Sequence, residues 1–359
     1  MNYYKNWIKN FFILLFLLIF CLMLFNYRID SAGIFKELTY LKNVANYLLD
    51  NKTIAGLKNY NEHKLNEFLI VNRKNKIDTI ALGSSRIMLL RKTHLSLEGR
   101  PFFNHGLSGA VIEDYIAILG IYKKKKGYIP KNVIISVDPW IFNVNNDNLN
   151  WKRLINYYSY LFKKIRNTEY ENSTSINKKY LQLINYEYSI SNIDKIYSNK
   201  IDYYITDSVN IDDSLISSDG SIYYPFDVRY PNIDDIKKNA INAGTYNVYR
   251  FKYFNKMSNK KLFKSLIYYL KENNINVTFV LFPYNPITYD LLINNPKYDI
   301  IVDVEDFLID YAKKENIQLL GSYNPYINDF KVNDFSDGMH SLESVVKDLF
   351  SNYKKGKVK

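Results

Sequence analysis

The stretch "IDTIALGSSR", Ile77 to Arg86, joins a short run of β-branched and apolar residues to a turn of small residues. Such a run, bounded by glycine and serine, is typical of a buried β-strand. The sequence therefore predicts a strand that ends in a tight turn containing Gly83, Ser84 and Ser85.

Four further apolar runs follow along the chain, with helical patterns between several of them. They are "RPFFNHGLSGA" (100–110), "NVIISVDPW" (132–140), "NVTFVLFPYNP" (276–286) and "QLLGSYNP" (318–325). Continuous apolar strands that alternate with helices predict an α/β fold with a parallel sheet covered on both faces. Because ligands bind such sheets beyond the carboxyl ends of the strands, we expect functional residues in the loops that directly follow these runs.

The N-terminal segment carries the clearest membrane signal. "NFFILLFLLIFCLMLFNY", residues 10–27, is uncharged and almost wholly apolar, and about 20 helical residues span a bilayer core. Lys5 and Lys9 precede it, so the positive-inside rule predicts a cytoplasmic N-terminus at 1–9, a transmembrane signal anchor at 10–28 and an extracytoplasmic remainder. A cleaved signal peptide is the alternative interpretation. The single cysteine, Cys21, lies in this segment, so we expect no disulfide and no thiolate site in the remainder.

Composition limits the classes of partner. Hydrophobic residues at 47% and charged residues at 23% are typical of a globular chain. The net charge of +12 favours anionic partners, such as lipid headgroups or anionic cell-wall polymers. No nucleic-acid-binding motif is visible in the sequence, so nucleic acid is not an expected partner.

The patterning divides the extracytoplasmic part into three. Residues 29–75 are predicted to form a stalk or a first packing helix. Segments 76–142 and 272–359 would together form the catalytic domain. Between them, residues 143–271 are tyrosine-rich and mainly helical in pattern, and they are too long for a simple crossover. We therefore predict that this segment is an inserted subdomain or lid.

Two segments far apart in the chain carry the candidate catalytic residues. Ser85 lies on the turn after the first strand, where its hydroxyl can project from the sheet edge as a nucleophile. Asp337 precedes His340 by three residues in "FSDGMHSLES", a spacing that lets a carboxylate orient an imidazole. No cluster of His, Asp or Glu has metal-ligand spacing, so neither a metal nor another cofactor is expected. The other three histidines have no carboxylate at a comparable spacing: His63, His94 and His105.

A second block indicates the same kind of site. "FFNHGLSGA" places Gly106 and Gly109 after the second strand, where glycine permits a close backbone approach to a ligand. The order of Ser85, this Asn-x-Gly-x-Ser-Gly block and the terminal Asp-x-x-His resembles the SGNH (GDSL-type) hydrolase superfamily. The resemblance covers residues 77–140 and 276–350, and it implies a flavodoxin-like, three-layer parallel sheet.

The resemblance implies a role for each matching residue. Ser85 would be the nucleophile, and Ser84 would stand where the family has an aspartate, with Ser84 as an alternative nucleophile. The N–H groups of Ser85 and Gly109 would form the oxyanion hole. His340 would be the general base, and Asp337 would be its orienting carboxylate.

One block departs from the family pattern. The family has an asparagine after the third strand, whose side chain completes the oxyanion hole, but this chain has Asp138 in "SVDPW". A carboxylate there would repel an oxyanion unless it were protonated or turned away. Asn285 in "FPYNP" is the candidate for a substitute donor.

The anchor, the "GSS" turn and the terminal "DGMH" resemble a membrane-anchored branch of the superfamily. This branch includes the DltD-like proteins of teichoic-acid D-alanylation and the alginate-type exopolysaccharide O-acetyltransferases. The resemblance implies a serine esterase or O-acyltransferase that modifies a cell-envelope glycan or anionic polymer at the cell membrane. It also implies a multi-pass, acyl-exporting membrane protein as partner, and the tyrosine-rich insertion would form the polymer groove.

Two alternatives stay open at this point. The first is a scaffold or polymer-binding protein that keeps the fold without efficient chemistry, which the Asp138 departure favours. The second is a secreted lipase or free esterase, which the N-terminal anchor disfavours.

Overall fold

The computed structural model describes residues 2–31, 34–35, 39–58, 60–95, 99–170, 180–197 and 203–353. Its α-helices are α1 Asn2–Ile29, α2 Thr39–Leu49, α3 Glu62–Asn72, α4 Ile112–Ile121, α5 Ile155–Arg166, α6 Tyr186–Tyr197, α7 Phe226–Arg229, α8 Ile233–Ala243, α9 Lys260–Glu272, α10 Pro286–Ile293, α11 Ile300–Glu315 and α12 Glu343–Phe350. Its strands are β1 Thr53–Ala55, β2 Thr79–Gly83, β3 Phe102–Gly106, β4 Asn132–Ser136, β5 Tyr204–Thr206, β6 Leu215–Ile216, β7 Ile222–Tyr223, β8 Asn276–Leu281 and β9 Gln318–Gly321.

Five strands form a wholly parallel sheet in the order β3-β2-β4-β8-β9. Each of these strands lies in one of the five apolar runs, so the predicted α/β fold with a parallel sheet is confirmed. Counted along the chain within this sheet, the order is 2-1-3-4-5, which is the order of flavodoxin-like doubly wound sheets. The strand order reverses direction at β2 and β4, and the loops after these two strands therefore flank the expected ligand crevice.

One face of the sheet is covered by α9. Its apolar residues recur at helical spacing, and Phe263, Leu266, Ile267 and Leu270 are all fully buried. The ring of Phe263 lies 5.5 Å from that of Phe279 in β8. Each such buried side chain contributes about 1.5–3 kcal/mol, so packing rather than intrinsic propensity holds this helix in place.

The opposite face packs against α12. Ala81 of β2, Ile134 of β4 and Val280 of β8 belong to one buried cluster with Val346 and Leu349 of α12. Successive residues of a strand point to opposite faces, and in this sheet both faces are buried. This explains why the strands appear in the sequence as continuous apolar runs rather than as alternating ones.

A second, antiparallel sheet has the order β5-β1-β6-β7. Three of its strands come from residues 143–271, and β1 comes from residues 29–75. The sequence pattern predicts mainly helical structure in these segments, and it does not reveal these strands. The strands have two or three residues each, which is too short to leave a recognisable periodicity.

The chain divides into two compact units. The described parts of residues 1–43, 58–61 and 171–202 form one unit, and the rest of the described chain, with both sheets, forms the other. In the first unit, the most apolar 18-residue window of the helix Tyr3–Ile29 has a mean hydropathy of 2.6, and it exposes its apolar side chains. This helix is long and apolar enough to cross a membrane.

Candidate active site

Three side chains from the two predicted segments form a continuous hydrogen-bonded chain. The Ser85 Oγ lies 2.8 Å from the Nε2 of His340, which is 255 residues further along the chain. The Nδ1 of His340 lies 2.8 Å from the Oδ2 of Asp337. Because Nδ1 faces a carboxylate, we assign the single ring proton of the neutral His340 imidazole to Nδ1. Nε2 is then free to accept the hydroxyl proton of Ser85.

The turn after β2 selects Ser85 rather than Ser84 for this contact. Ser84 is fully buried, and its Oγ accepts a hydrogen bond from the N–H of Arg86 at 3.2 Å. Ser84 thereby caps a short 3₁₀ turn, Ser85–Ile87, and Ser85 occupies its first position. Gly83 is needed for a reason other than the predicted turn, since a Cβ there would lie 2.5 Å from the Cβ of Ser136 in β4.

The loop before α12 holds His340 through Asp337. One carboxylate oxygen, Oδ1, accepts the N–H groups of Met339 and His340, both at 2.8 Å, while Oδ2 faces the ring. Burial by itself raises the pKa of Asp337, but these hydrogen bonds and the nearby imidazole outweigh it and leave the pKa below its usual value. Asp337 therefore stays ionised near neutral pH and orients the imidazole.

A buried ion pair, which was not predicted from the sequence, lies directly behind the turn that carries Ser85. Nη1 of Arg86 lies 3.1 Å from Oδ1 of Asp138, and both side chains are fully buried. Burial raises the pKa of Asp138, and the guanidinium and the Ser84 hydroxyl oppose that rise. A negative charge on Asp138 would repel an oxyanion, but the guanidinium of Arg86, next to Ser85, compensates this charge.

Arg86 also joins the loops that form the site. Its Nε donates to the carbonyl of Met339 at 3.1 Å, in the loop that carries His340. Its Nη2 donates to the carbonyls of Phe282 and Pro283 after β8, and its guanidinium lies 4.6 Å from the ring centre of Tyr284. A signal for this pair was present in the sequence: an arginine and an aspartate each follow a strand of the predicted sheet, and neighbouring strand ends meet.

The proposed oxyanion donors lie at the same edge of the sheet, after β2 and β3. Within the described ranges, the N–H groups of Ser85 and Gly109 have no hydrogen-bond partner. Gly109 has a φ of +62°, and a Cβ there would lie 2.8 Å from a ring carbon of Tyr249, so only glycine fits without strain. These two N–H groups are therefore available to a ligand.

The third proposed donor is not available. Oδ1 of Asn285 accepts the N–H of Ile287 at 3.0 Å and caps α10, and its Nδ2 donates to the carbonyl of Val332 at 3.3 Å. Both polar atoms of the Asn285 side chain therefore form local hydrogen bonds, and its amide is not directed towards Ser85. Its sequence context, Asn-Pro at the start of a helix, is the signal of an N-cap.

Two of the other three histidines have carboxylate partners that sequence spacing did not indicate. His63 lies 2.7 Å from Asp114, and His94 lies 3.2 Å from Glu343, so both have carboxylate neighbours far away in sequence. The third, His105, is buried between Asn66 and Tyr122, and burial lowers its pKa well below its usual value. Of the four histidines, only His340 is hydrogen-bonded to a serine hydroxyl in the described structure.

Two tyrosines of residues 143–271 lie at the candidate site, Tyr224 beside Ser85 and His340, and Tyr249 beside Gly109. The hydroxyl of Tyr224 donates to the backbone carbonyl of Ser85 at 3.4 Å, and its ring centre lies 6.4 Å from that of His340. The ring of Tyr249 stacks on Trp140 at 4.4 Å and covers Gly109. Residues 143–271 therefore contribute to the walls of the candidate site.

A cavity of about 360 Å³ lies beside the triad, lined in part by Tyr224 and by residues on either side of His340. Its wall is largely apolar, but it also contains Arg91 and Arg229. Arg91 pairs with Glu343 at 2.8 Å. The Nε of Arg229 is buried and has no hydrogen-bond partner in the described part of the chain. The cavity wall is therefore mainly apolar, with the Arg91–Glu343 ion pair and the guanidinium of Arg229 as its charged parts.

No group of three or more His, Cys, Asp or Glu side chains among the described residues is arranged to hold a metal ion. In comparisons with known proteins, the chain matches no family model, no curated protein and no solved structure. Any function must therefore be argued from the geometry of the site.

Proposed function

We propose that this chain is a membrane-anchored serine acyltransferase or esterase of the SGNH type, with Ser85, His340 and Asp337 as its catalytic triad. The observation that carries this proposal is the unbroken chain of two 2.8 Å contacts from the Ser85 hydroxyl through the imidazole to the Asp337 carboxylate. Nucleophile, base and orienting acid are the three parts that activated-serine chemistry requires.

The mechanism follows from the positions of these groups. The Ser85 Oγ attacks an acyl carbonyl carbon while Nε2 of His340 accepts the hydroxyl proton. The resulting oxyanion accepts hydrogen bonds from the N–H groups of Ser85 and Gly109. When the tetrahedral intermediate collapses, His340 returns the proton to the leaving group and an acyl ester remains on Ser85.

The second half of the reaction reverses these roles. A hydroxyl group of the acceptor, or water, attacks the acyl ester, and His340 accepts its proton and then delivers it to Ser85. Asp337 stays ionised and stabilises the imidazolium in both halves. The reaction is an acyl transfer when a hydroxyl group of the acceptor attacks, and it is a hydrolysis when water attacks.

The acceptor class is proposed from the surroundings of the triad. Tyrosine rings pack well against sugar rings while their hydroxyls form hydrogen bonds, and Tyr224 and Tyr249 lie at the site. Arg229 in the adjoining cavity favours an anionic group. We therefore propose a cell-envelope polysaccharide or a teichoic-acid-like polymer as acceptor.

The cellular placement belongs to the same proposal. With α1 as a single-pass anchor and Lys5 and Lys9 on the cytoplasmic side, the triad would work outside the cell membrane. An acyl group made inside the cell must then cross the membrane, so we propose a multi-pass, acyl-exporting membrane protein as partner.

Labelling with a fluorescent fluorophosphonate tests the triad directly. The detergent-solubilised full chain should be labelled, and Ser85→Ala and His340→Ala should each abolish labelling. Ser84→Ala is the matched control: it removes the neighbouring hydroxyl and the cap of the turn but leaves the nucleophile, so labelling should slow and still be detectable. Equal labelling of the wild type and the Ser85→Ala variant would refute the assignment.

A scaffold without efficient chemistry is the second candidate function. It is favoured by the commitment of Asn285 to its helix cap, because the oxyanion site then has two backbone donors and lacks the side-chain amide that the resemblance implies. Complementation separates the two functions. If Ser85→Ala restores polymer modification fully in a deletion strain, the scaffold function is correct and the chemical one is wrong.

A further inference from the structure

The helix α6 and the turn before it have their polar and apolar sides reversed relative to a helix of a water-soluble protein. Ser189 and Asn192 are buried, and so is Tyr188. The exposed side chains of this segment are mostly large and apolar or aromatic: Tyr180, Leu181, Ile184, Tyr186, Ile190, Ile193, Ile196 and Tyr197. In water, the apolar side of a helix is normally the buried one, so this pattern calls for an apolar environment around α6.

The buried polar side fastens this segment to the C-terminal end of α1. Asn26 is fully buried, and its Nδ2 donates to Oγ of Ser189 and to the carbonyl of Leu183, both at 2.8 Å. Its Oδ1 accepts a hydrogen bond from Nδ2 of Asn192 at 2.9 Å. One side chain of α1, two side chains of α6 and the carbonyl of Leu183 are thus joined in one polar network.

A further contact strengthens the attachment. The hydroxyl of Tyr188 donates to Oδ1 of Asp30 at 2.6 Å, directly after the end of α1. The Asp30 carboxylate also accepts the N–H groups of Ile34 and Phe35. Side-chain hydrogen bonds therefore help to set the position of α6 relative to the end of α1.

The position along α1 determines the depth of α6 in a bilayer. About 20 helical residues span the hydrocarbon core, and counting 20 residues from Trp7 reaches Asn26. Asn26 would therefore lie at the boundary between hydrocarbon and headgroups, and α6 is attached at this level. Tyrosine is enriched at this boundary, and Tyr186 and Tyr197 are 77% and 83% exposed.

The sides of α6 agree with an orientation in the plane of the membrane. Ile190, Ile193 and Tyr197 share one face at i, i+3 and i+7, whereas the acidic Glu187 and Asp194 lie seven residues apart along a neighbouring line. An apolar face beside a charged edge is the pattern of an interfacial helix.

We propose that α6 is an interfacial helix whose Ile190–Ile193–Tyr197 face lies in the membrane leaflet at the C-terminal end of α1. This inference rests on the membrane placement of α1 under the proposed function, and it is independent of the chemistry at Ser85. Lipid is the proposed occupant of the face, and a protein partner is the alternative that the experiment separates.

Depth-dependent fluorescence quenching tests the inference in the full chain. Because Cys21 is the only cysteine, Cys21→Ser provides a cysteine-free background. Single cysteines introduced as Ile193→Cys, Glu187→Cys and Leu17→Cys are labelled with an environment-sensitive nitrobenzoxadiazole probe. Each variant is reconstituted alone into vesicles of phosphatidylcholine and phosphatidylglycerol that contain doxyl-labelled lipid.

The probe at position 193 should be blue-shifted and quenched at least twofold more strongly than the probe at 187, the control on the charged edge of the same helix. The probe at 17 reports on α1 and should be strongly quenched. If 17 is quenched but 193 is quenched no more than 187, the face lies outside the lipid and the inference is wrong, while the anchor stands. If 17 is not quenched, the membrane placement itself fails, and the inference fails with it.

Discussion

Replacing Asp337 by asparagine separates the tautomeric role of this residue from its role in holding the loop. In the wild type, Oδ1 accepts two backbone N–H groups, and Oδ2 faces Nδ1 of His340. In Asp337→Asn, the amide oxygen can keep both backbone hydrogen bonds. The opposite orientation would turn an NH₂ group towards two N–H donors and lose both bonds, at about 0.5–1.5 kcal/mol each.

The favoured orientation forces the wrong tautomer on His340. The asparagine NH₂ group then faces Nδ1 and can only donate, so Nδ1 must present its lone pair and the ring proton moves to Nε2. Nε2 faces Ser85 and can no longer accept the hydroxyl proton. We expect the acylation rate constant to fall by about 10³–10⁴-fold, which corresponds to about 4–5.5 kcal/mol of lost transition-state stabilisation.

The assay is the second-order rate constant of fluorophosphonate labelling, measured on the solubilised full chain near neutral pH. Asp334→Asn is the matched control, since it neutralises an acid in the same loop whose Oδ2 accepts the N–H of Lys331 and makes no other hydrogen bond to a described residue. The control should keep the wild-type rate, and both variants should keep the wild-type melting temperature within a few degrees. A rate for Asp337→Asn within tenfold of the wild type, with His340→Ala inactive, would refute the tautomer argument.

Three further perturbations test the surroundings of the triad. Arg86→Met leaves the Asp138 carboxylate buried without its partner and should lower the free energy of unfolding by about 3–5 kcal/mol, and adding Asp138→Asn should recover much of this loss in urea titrations. Gly109→Ala should lower both stability and the labelling rate, because the φ of +62° is strained for alanine and the Cβ meets an aromatic ring. Gly127→Ala, at a φ of +76° in open space, should cost only the backbone strain of about 1–2 kcal/mol. A hydrogen bond with His94 lowers the pKa of Glu343 from 4.5 to about 2. The stabilisation by Glu343 is therefore complete above about pH 4.5 and is lost as the pH falls towards 2, and Glu343→Gln should flatten the melting temperature across this window.

Each of these expectations has a result that contradicts it. An Arg86→Met variant as stable as the wild type would mean that Asp138 is not charged in the fold. Equal labelling rates for the Gly109→Ala and Gly127→Ala variants would remove Gly109 from the oxyanion site. A steep loss of stability below pH 4.5 in Glu343→Gln, equal to that of the wild type, would assign the acid sensitivity to other carboxylates.

The sequence predicted the parts of the molecule that depend on local pattern. Both faces of the main sheet are buried, so its strands are uninterrupted apolar runs that can be found without knowing their neighbours. Asp337 and His340 lie three residues apart, so their contact could be proposed from spacing alone. Their catalytic role, like that of Ser85, stays a prediction.

The parts that the sequence analysis missed depend on contacts between distant segments. The four strands of the second sheet have two or three residues each and acquire their structure only by pairing. His63 and Asp114 are 51 residues apart, and no local spacing relates them. Asn285 was assigned to the oxyanion site from its position after a strand, although its Asn-Pro context indicated the helix cap that the structure contains.

The sequence by itself determined that a serine turn, a glycine turn and an Asp-x-x-His loop follow the strands of one parallel sheet, because strand period and residue spacing are local properties. Only the tertiary structure decided that Ser85 rather than Ser84 meets His340, since the cap made by Ser84 depends on the turn geometry. It also decided that Asp138 is compensated, because Arg86 reaches it only after β2 and β4 have paired and both side chains have left water. A buried charge requires a partner nearby in space, and chain order alone does not specify which one.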